Sequence, residues 1–296
     1  MNGPFDFDQL VALVGGRLRH DVACPYCRDA PGRTATNRKR PVLRVWHPEP
    51  GFVTFHCERC DISGYAVDDG RERMSSADLE KIRAKAQAFD REEAAKKLAT
   101  AQWLWSNSRP IVGTPAERYL RGARGITGAL PGTLRFLPAR NGYPPALIGA
   151  FGIPAEPEPG TLAIAPAAVV GVHLTRLKFD GSGKHEREDE PAKIMLARSR
   201  GWPLVLAPIN DGGGLGIVEG IEEGLSVLVT GLGVWVAGSA SRLPALAERV
   251  PDSVNVTIFA DPDPDGMRHA AELRRRLSAR GLFAAIVELP EKSHGR

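Results

Sequence analysis

The apolar positions of the chain fall into three regimes. Between residues 77 and 105, Leu79, Ile82, Ala86, Phe89, Ala94, Leu98, Ala101 and Leu104 recur at helical spacing with charges opposite, which predicts one long helix. Trp103 and Trp105 near its end read as core. Ahead of it the apolar runs are short. A helix is expected within residues 5–19 on the stripe Leu10, Leu13 and Val14, followed by two strands, Val42–Trp46 and Phe52–Phe55, joined by a Pro/Gly turn. From about residue 107 the pattern shifts again. A short helix starts at Thr114 with proline in its first turn. The runs Leu134–Phe136, Ala146–Phe151, Leu162–Ala165, Val169–Leu177 and Lys193–Leu196 then predict an irregular, mostly β segment.

Residues 204–289 alternate in type. Strands are expected at Leu215–Val218, Val234–Ala237, 254–260 and Leu282–Leu289, with helices at Ile221–Leu232, Leu243–Val250 and Met267–Arg280 between them. Strand–helix alternation implies a parallel sheet with right-handed crossovers. Glu219 ends the first of these strands, and Ala260-Asp261-Pro262-Asp263-Pro264-Asp265-Gly266 follows the third. Ligands of open α/β sheets bind at the carboxyl ends of strands. Clustered carboxylates repel one another unless a cation neutralises them. A divalent-cation site is therefore expected, on Glu219, Asp261 and Asp263 if their strands are neighbours. Asp261-x-Asp263-x-Asp265-Gly266 with Glu272 also fits a calcium EF-hand loop. Against that, a strand precedes the loop where an EF-hand has a helix, Pro262 and Pro264 remove donors, and His269 stands where an apolar anchor belongs. A solvated acidic turn is the plainer alternative.

Chemistry elsewhere is concentrated near the start. All four cysteines lie in two pairs, Cys24-Pro25-Tyr26-Cys27 and Cys57-Glu58-Arg59-Cys60. Four thiolates in this spacing close a tetrahedral structural zinc site, and a redox CxxC would leave the second pair unexplained. With two strands between the pairs, this is a zinc ribbon. Its hairpin is basic, with Arg28, Arg33, Arg38, Lys39, Arg40 and Arg44 interleaved with Tyr26 and Trp46, a pattern suited to single-stranded nucleic acid. The net charge of +4 is modest, so this local arrangement matters more than the total. The sequence Gly181-Ser182-Gly183-Lys184 is a hairpin turn and not a phosphate loop, because Lys178 stands at the required upstream glycine and His185 at the required Ser/Thr. No apolar run of about 20 residues is present, and the first residues lack a signal peptide's basic and apolar regions, so a cytoplasmic, non-membrane protein is expected.

Glu219-Gly220-Ile221-Glu222-Glu223-Gly224-Leu225 followed by Asp261-x-Asp263-x-x-Gly266 resembles the Toprim domain of bacterial-type primases, type IA and II topoisomerases and some nucleases. The ribbon ahead of it makes the chain similar to DNA primases of bacterial, plasmid or phage type. In the middle segment, Arg176 resembles the family's strand arginine and Lys193 its loop lysine. The resemblance implies a multi-domain α/β protein with four parts. These are a zinc ribbon over 1–70, a connector helix over 71–106, a basic α+β primase-type segment over 107–203 and a Rossmann-like Toprim domain over 204–296. It implies short RNA primers made on a single-stranded DNA template by two-metal nucleotidyl transfer. Mg²⁺ or Mn²⁺ would sit on Glu219, Asp261, Asp263, Asp265 and Glu223, and zinc would be structural. Arg176, Lys193, Arg198, Arg118 and Arg121, with Arg124 more loosely, would hold nucleoside triphosphate or template, and Lys39, Arg40, Arg44 and Trp46 would grip the strand. A separate replicative helicase is the implied partner, since no helicase domain follows before Arg296. A Toprim nuclease and a non-catalytic single-strand-binding replication accessory protein are the competing readings.

Overall fold

The computed structural model describes residues 4–15, 17–31, 33, 35–68, 76–186 and 190–290. It divides into two compact units, Met1–Glu93 and Ala94–Arg296. Among the described residues no helix is long and apolar enough to cross a membrane.

The first unit opens with α1 (Phe7–Val14), whose start is set by a reciprocal cap: the Asp6 carboxylate accepts from Gln9 N at 2.7 Å and the Gln9 side chain returns to Asp6 N. Gly15, in the left-handed region, ends it. Four antiparallel strands follow in sequential order: β1 (Arg19–Ala23), β2 (Pro41–Glu49), β3 (Phe52–Cys57) and β4 (Ser63–Val67), with α2 (Ala35–Lys39) between the first two. Strands β2 and β3 are those expected. The outer pair, β1 and β4, were not legible because Arg-His-Asp-Val-Ala and Ser-Gly-Tyr-Ala-Val lack a clean alternation. The expected boundary between ribbon and connector, at residues 70 and 71, lies outside the described residues.

The core of this unit is the cysteines themselves together with Leu10, Val14, Leu43, Val45, Val53 and Phe55. The four sulfurs all lie within 4.8 Å of one another. Each pair sits in a turn closed by backbone bonds, Arg28 N to Cys24 O at 3.0 Å and Asp61 N to Cys57 O at 2.9 Å. Burial pushes the Cys24 thiol up to about 12. Soft donors gathered at this distance in an apolar surround fit zinc, which would hold them as thiolates.

Helix α3 (Ser76–Ser106) runs from the first unit into the second. Of its expected stripe, the side chains of Leu79 and Ile82 lie outside the described residues. Ala86 packs with Trp46, Phe52 and Val67. Further along, Ala101 and Trp105 are buried, whereas Trp103 is exposed under the Arg140 guanidinium, a departure from the core position expected for it.

In the second unit the short helix α4 (Pro115–Arg118) continues as one wide turn over Tyr119–Ala123. An antiparallel sheet follows, built from β5 (Leu134–Leu137), β6 (Ala146–Phe151), β9 (Gly171–Arg176) and β10 (Lys193–Leu196) in the order β10-β9-β6-β5. A separate two-stranded ribbon, β7 (Ala155–Glu158) and β8 (Thr161–Ala163), lies between β6 and β9 in the chain. The last sheet comprises β11 (Leu204–Ala207), β12 (Gly214–Val218), β13 (Gly233–Val236), β14 (Asn255–Ala260) and β15 (Ala284–Glu288) in the order β11-β13-β12-β14-β15. Its last four strands are parallel, and β11 runs antiparallel along β13.

Period-2 alternation assigns the faces. In β6, Ala146, Ile148 and Ala150 pack with Trp105 of α3, while Leu147 turns to the other side and meets Leu204, Leu206 and Val218 of the second sheet. That second sheet buries Val218, Val236 and Phe259 under α5 (Ile221–Val227). On its far face Leu215, Ile217, Val256 and Ile258 lie under α6 (Pro264–Ala279) and a 3₁₀ segment, Ala240–Glu248. Two expected helices are corrected. The first stops at Val227 and continues as a 3₁₀ turn to Gly231, which takes the left-handed conformation. The second is 3₁₀ because Pro244 lies inside it and cannot donate.

Two outcomes check the first unit. A zinc-selective chelator should remove one metal ion per chain and abolish the cooperative unfolding of the ribbon, read by stoichiometric metal release and circular dichroism. A chain that keeps its ribbon melting transition with no metal bound would refute the site. Trp46→Ala should cost about 3–5 kcal/mol in denaturant unfolding, as loss of a buried aromatic does; a loss under about 1 kcal/mol would contradict its placement in the core.

Candidate functional site

The acidic edge is built by strand register. Strands β12 and β14 are hydrogen-bonded neighbours, with Leu215 opposite Val256, Ile217 opposite Ile258 and Val218 opposite Phe259. Glu219 is the residue after β12 and Asp261 the residue after β14, so both leave the sheet at the same carboxyl edge. Backbone bonds fix them there: Gly238 N donates to Glu219 O at 2.8 Å, and Leu289 N to Ala260 O at 2.9 Å. Asp261 is buried.

Asp263 is the N-cap of α6; its Oδ1 accepts from Gly266 N at 2.7 Å. The expected helix start moves back from Met267 to Pro264, with proline at the first turn. Asp265 lies in that turn, three-quarters exposed, with its Oδ1 2.8 Å from Arg268 Nη2. Two glycines make the loops possible. A Cβ on Gly266 would lie 2.7 Å from Asp261 O and 3.3 Å from Asp263 Oδ1. A Cβ on Gly220, the N-cap of α5, would lie 2.1 Å from Glu223 Oε2, so the Glu223 carboxylate folds back over the start of its own helix. Oxygen donors from adjacent strand ends suit a hard divalent cation. Among the described residues only the four cysteines form a group of three or more ligand side chains within 4.8 Å; the acids of the edge are spaced more widely.

Beside this edge lies a residue for which the sequence suggested no role. Glu222, in the first turn of α5, is partly buried, its side chain 13% exposed, and takes partners from the preceding part of the unit. Its Oε1 accepts from Tyr119 OH at 2.8 Å and is 3.2 Å from Lys184 Nζ; its Oε2 is 3.4 Å from Lys193 Nζ. Arg124 Nε donates to Tyr119 OH at 2.8 Å. Burial pushes the Glu222 carboxyl upward, but Lys193, Lys184 and the Tyr119 hydroxyl outweigh it and hold it well below the usual carboxylate range. Burial and the same carboxylate raise the Tyr119 phenol. His173 of β9 is buried nearby, and desolvation followed by the Lys193 charge lowers it to about 4, so the ring is neutral near pH 7. The acid-rich motif Glu219–Glu223 could have flagged Glu222, but its spacing gave no reason to separate it from Glu223. Lys184 sat in a turn noticed only as a failed phosphate loop.

The basic residues nominated from sequence divide into several kinds. Lys193 stands at the edge of the Toprim-like motif, bonded to Glu222. Lys39, Arg40 and Arg198 are exposed. Arg44 is corrected: its guanidinium makes a bidentate pair with Asp21, at 3.0 and 3.2 Å, across the β1–β2 ladder. Trp46 is corrected too, since it is buried and offers no face to a base. Arg121 donates to the carbonyls of Ile126 and Gly128 and closes its own loop. Arg118 is exposed but donates to Asp180 O at 2.8 Å. Arg176 is paired with Glu190.

The two glycines generate a paired prediction. Gly220→Ala meets only the far end of the Glu223 side chain and should destabilise the chain by about 1 kcal/mol, the low end of overpacking costs. Adding Glu223→Ala should recover most of that loss in a double-mutant cycle, because the clash is with a side chain. Gly266→Ala meets backbone, and no side-chain truncation should relieve it. Strict additivity of Gly220→Ala and Glu223→Ala would show that the carboxylate does not fold back.

Comparison with known families divides the second unit in two. Residues 95–204 match a domain of unknown function, DUF7146, and residues 214–295 match a Toprim domain. No curated protein and no solved structure matches the chain. The carboxyl-terminal α/β sheet with its acidic edge is thus a Toprim domain, preceded in the chain by a four-cysteine cluster that could hold zinc.

Proposed function

We propose that the chain is a DNA primase, joining ribonucleotides on a single-stranded DNA template at the Toprim edge. The observation that supports synthesis over hydrolysis is the placement of Lys193 and Lys184 against Glu222, three residues from Glu219. Hydrolysis of a phosphodiester needs the acids and water. Nucleotidyl transfer also needs cations for the triphosphate of the incoming nucleotide, and two lysines stand beside the acids. Divalent cations held by Glu219, Asp261 and Asp263, with Asp265 and Glu223 beyond them, would neutralise charge on the phosphoryl oxygens. The chain's own part is positioning: Asp263 fixes the turn through its helix cap, and buried Asp261 holds its place at the end of β14. Lys193, with Arg198 exposed beyond the same strand, would orient phosphates, and Lys39 and Arg40 of the ribbon would track the template backbone. A helicase supplied as a separate protein would expose that template.

Incubation with single-stranded DNA, ribonucleotides and Mg²⁺ or Mn²⁺ should yield short RNA products. Asp263→Ala and Asp261→Ala should each reduce the yield by roughly 10²-fold or more, the scale on which loss of a charge-stabilising group acts. Products that persist unchanged in Asp263→Ala would sink the site assignment. DNA cleavage without nucleotides, and no primer, would turn the reading to a Toprim nuclease. Tight salt-dependent binding with neither reaction would leave a replication accessory protein.

A further inference from the structure

Glu222 is surrounded by more positive charge than it neutralises. Lys184 and Lys193 each bond one of its oxygens, and Arg124 reaches it through the Tyr119 hydroxyl. Around this one carboxylate there are three cations. The face of β9 turned toward the Toprim sheet adds polar atoms. His173 and Thr175 are both buried on it, and neither His173 Nδ1 nor Thr175 Oγ1 finds a hydrogen-bond partner among the described residues. Thr175 is directly opposite Lys193 in the β9–β10 ladder. His173 feels the charges of Lys193, Glu222, Arg242 and Lys184. Buried polar groups in native proteins nearly always have partners, so two orphans beside these cations mark a place where a ligand supplies the missing ones.

We propose that Lys184, Lys193 and Arg124 form a polyphosphate site in which Glu222 is the internal occupant that an incoming polyphosphate displaces. The inference rests on the nucleotidyl-transfer reading and deepens it, naming a nucleoside triphosphate as the ligand class and Lys184 as a phosphate contact. Glu222 is then a positioning and selectivity residue. With no ligand it holds two lysine ammonium groups in register and compensates their charge where the site is partly shielded from water. A monophosphate offers little more charge than the carboxylate already there and gains little by replacing it. A di- or triphosphate brings several charges and acceptor oxygens at once, enough to engage both lysines and the Arg124 side of the site while Thr175 donates its hydroxyl. Lys184 and Lys193 each hold a different oxygen of Glu222, so both ammonium groups face the place that an incoming anion would take.

The test is calorimetric binding of inorganic tripolyphosphate and of orthophosphate to the zinc-loaded full chain, with no other divalent metal added. The wild type should bind tripolyphosphate at least tenfold more tightly than orthophosphate. Glu222→Gln keeps the shape and the Tyr119 bond but removes the competing charge. It should bind orthophosphate about tenfold more tightly than wild type and narrow the ratio between the two anions, the scale of one charge-assisted bond. Lys184→Met should weaken tripolyphosphate about tenfold or more. Glu222→Gln with both affinities unchanged and only a lowered melting temperature would overturn the proposal, reducing Glu222 to a structural strut. If Glu222→Gln does not fold, Lys184→Met decides: retained affinity refutes the site and lost affinity supports it. Tripolyphosphate binding without primer synthesis would refute the nucleotidyl-transfer reading and leave the site standing; primer synthesis without this binding would do the reverse.

Discussion

The register of β12 on β14 is the constraint on which the acidic edge depends. In a strand, successive side chains point to opposite faces and each residue advances the chain by roughly 3.3 Å. A slip of one position would change the level of Glu219 relative to Asp261 and turn it toward the other face. What prevents the slip is apolar. Leu215, Ile217, Val256 and Ile258 are buried on one side of the sheet under α6, and Val218 and Phe259 on the other under α5. Moving either strand by one residue would exchange these sets between the two faces and break the packing of both. The hydrophobic core therefore places the carboxylates, and the backbone bonds at Glu219 O and Ala260 O then hold the strand ends where the core has put them.

A second constraint ties this sheet to the antiparallel one. A buried carboxylate is costly unless several partners compensate it, and removing one partner leaves an uncompensated charge. Glu222 draws its partners from segments distant from it in sequence: Tyr119 after α4, Lys184 after the β9 hairpin turn and Lys193 at the start of β10. The apolar contacts of Leu147, Leu204 and Val218 bring the two sheets together without direction. The charge network is directional and specifies one arrangement. It also brings Lys184 and Lys193 to Glu222 at the start of α5, which is the feature with chemical consequence.

The sequence made the Toprim half legible because its central strands are largely buried and read as mainly apolar runs, closed by Glu219, Gly238 and Asp261. The four cysteines were legible from spacing alone. Helix types were harder. Pro244 within Leu243–Val250 was the signal for a 3₁₀ segment, while nothing local marked the early end of α5 beyond the glycine at 231. Long-range pairing was not legible at all. Arg44 looks like a free cation until β1 lays Asp21 across from it, and Trp46 looks like a stacking surface until α3 covers it. Likewise Glu222 and Glu223 are adjacent acids of one motif, yet one is turned toward the lysines of another sheet and the other back onto Gly220.

Charge counted along the sequence overstates the positive surface available to a nucleic acid. Arg44, Arg118, Arg121 and Arg176 are each engaged by a carboxylate or a carbonyl within their own unit. Arginine is prone to this, since its planar fork of five donors satisfies loop carbonyls and carboxylates that would otherwise be orphaned. The cations bonded directly to Glu222 are lysines, whose single ammonium on a flexible stem can leave one anion for another with little rearrangement of the backbone. A fold that uses arginine for permanent internal ties and lysine beside its acidic edge separates architecture from ligand exchange. The Lys184–Glu222–Lys193 group is built of the residue types that permit such an exchange.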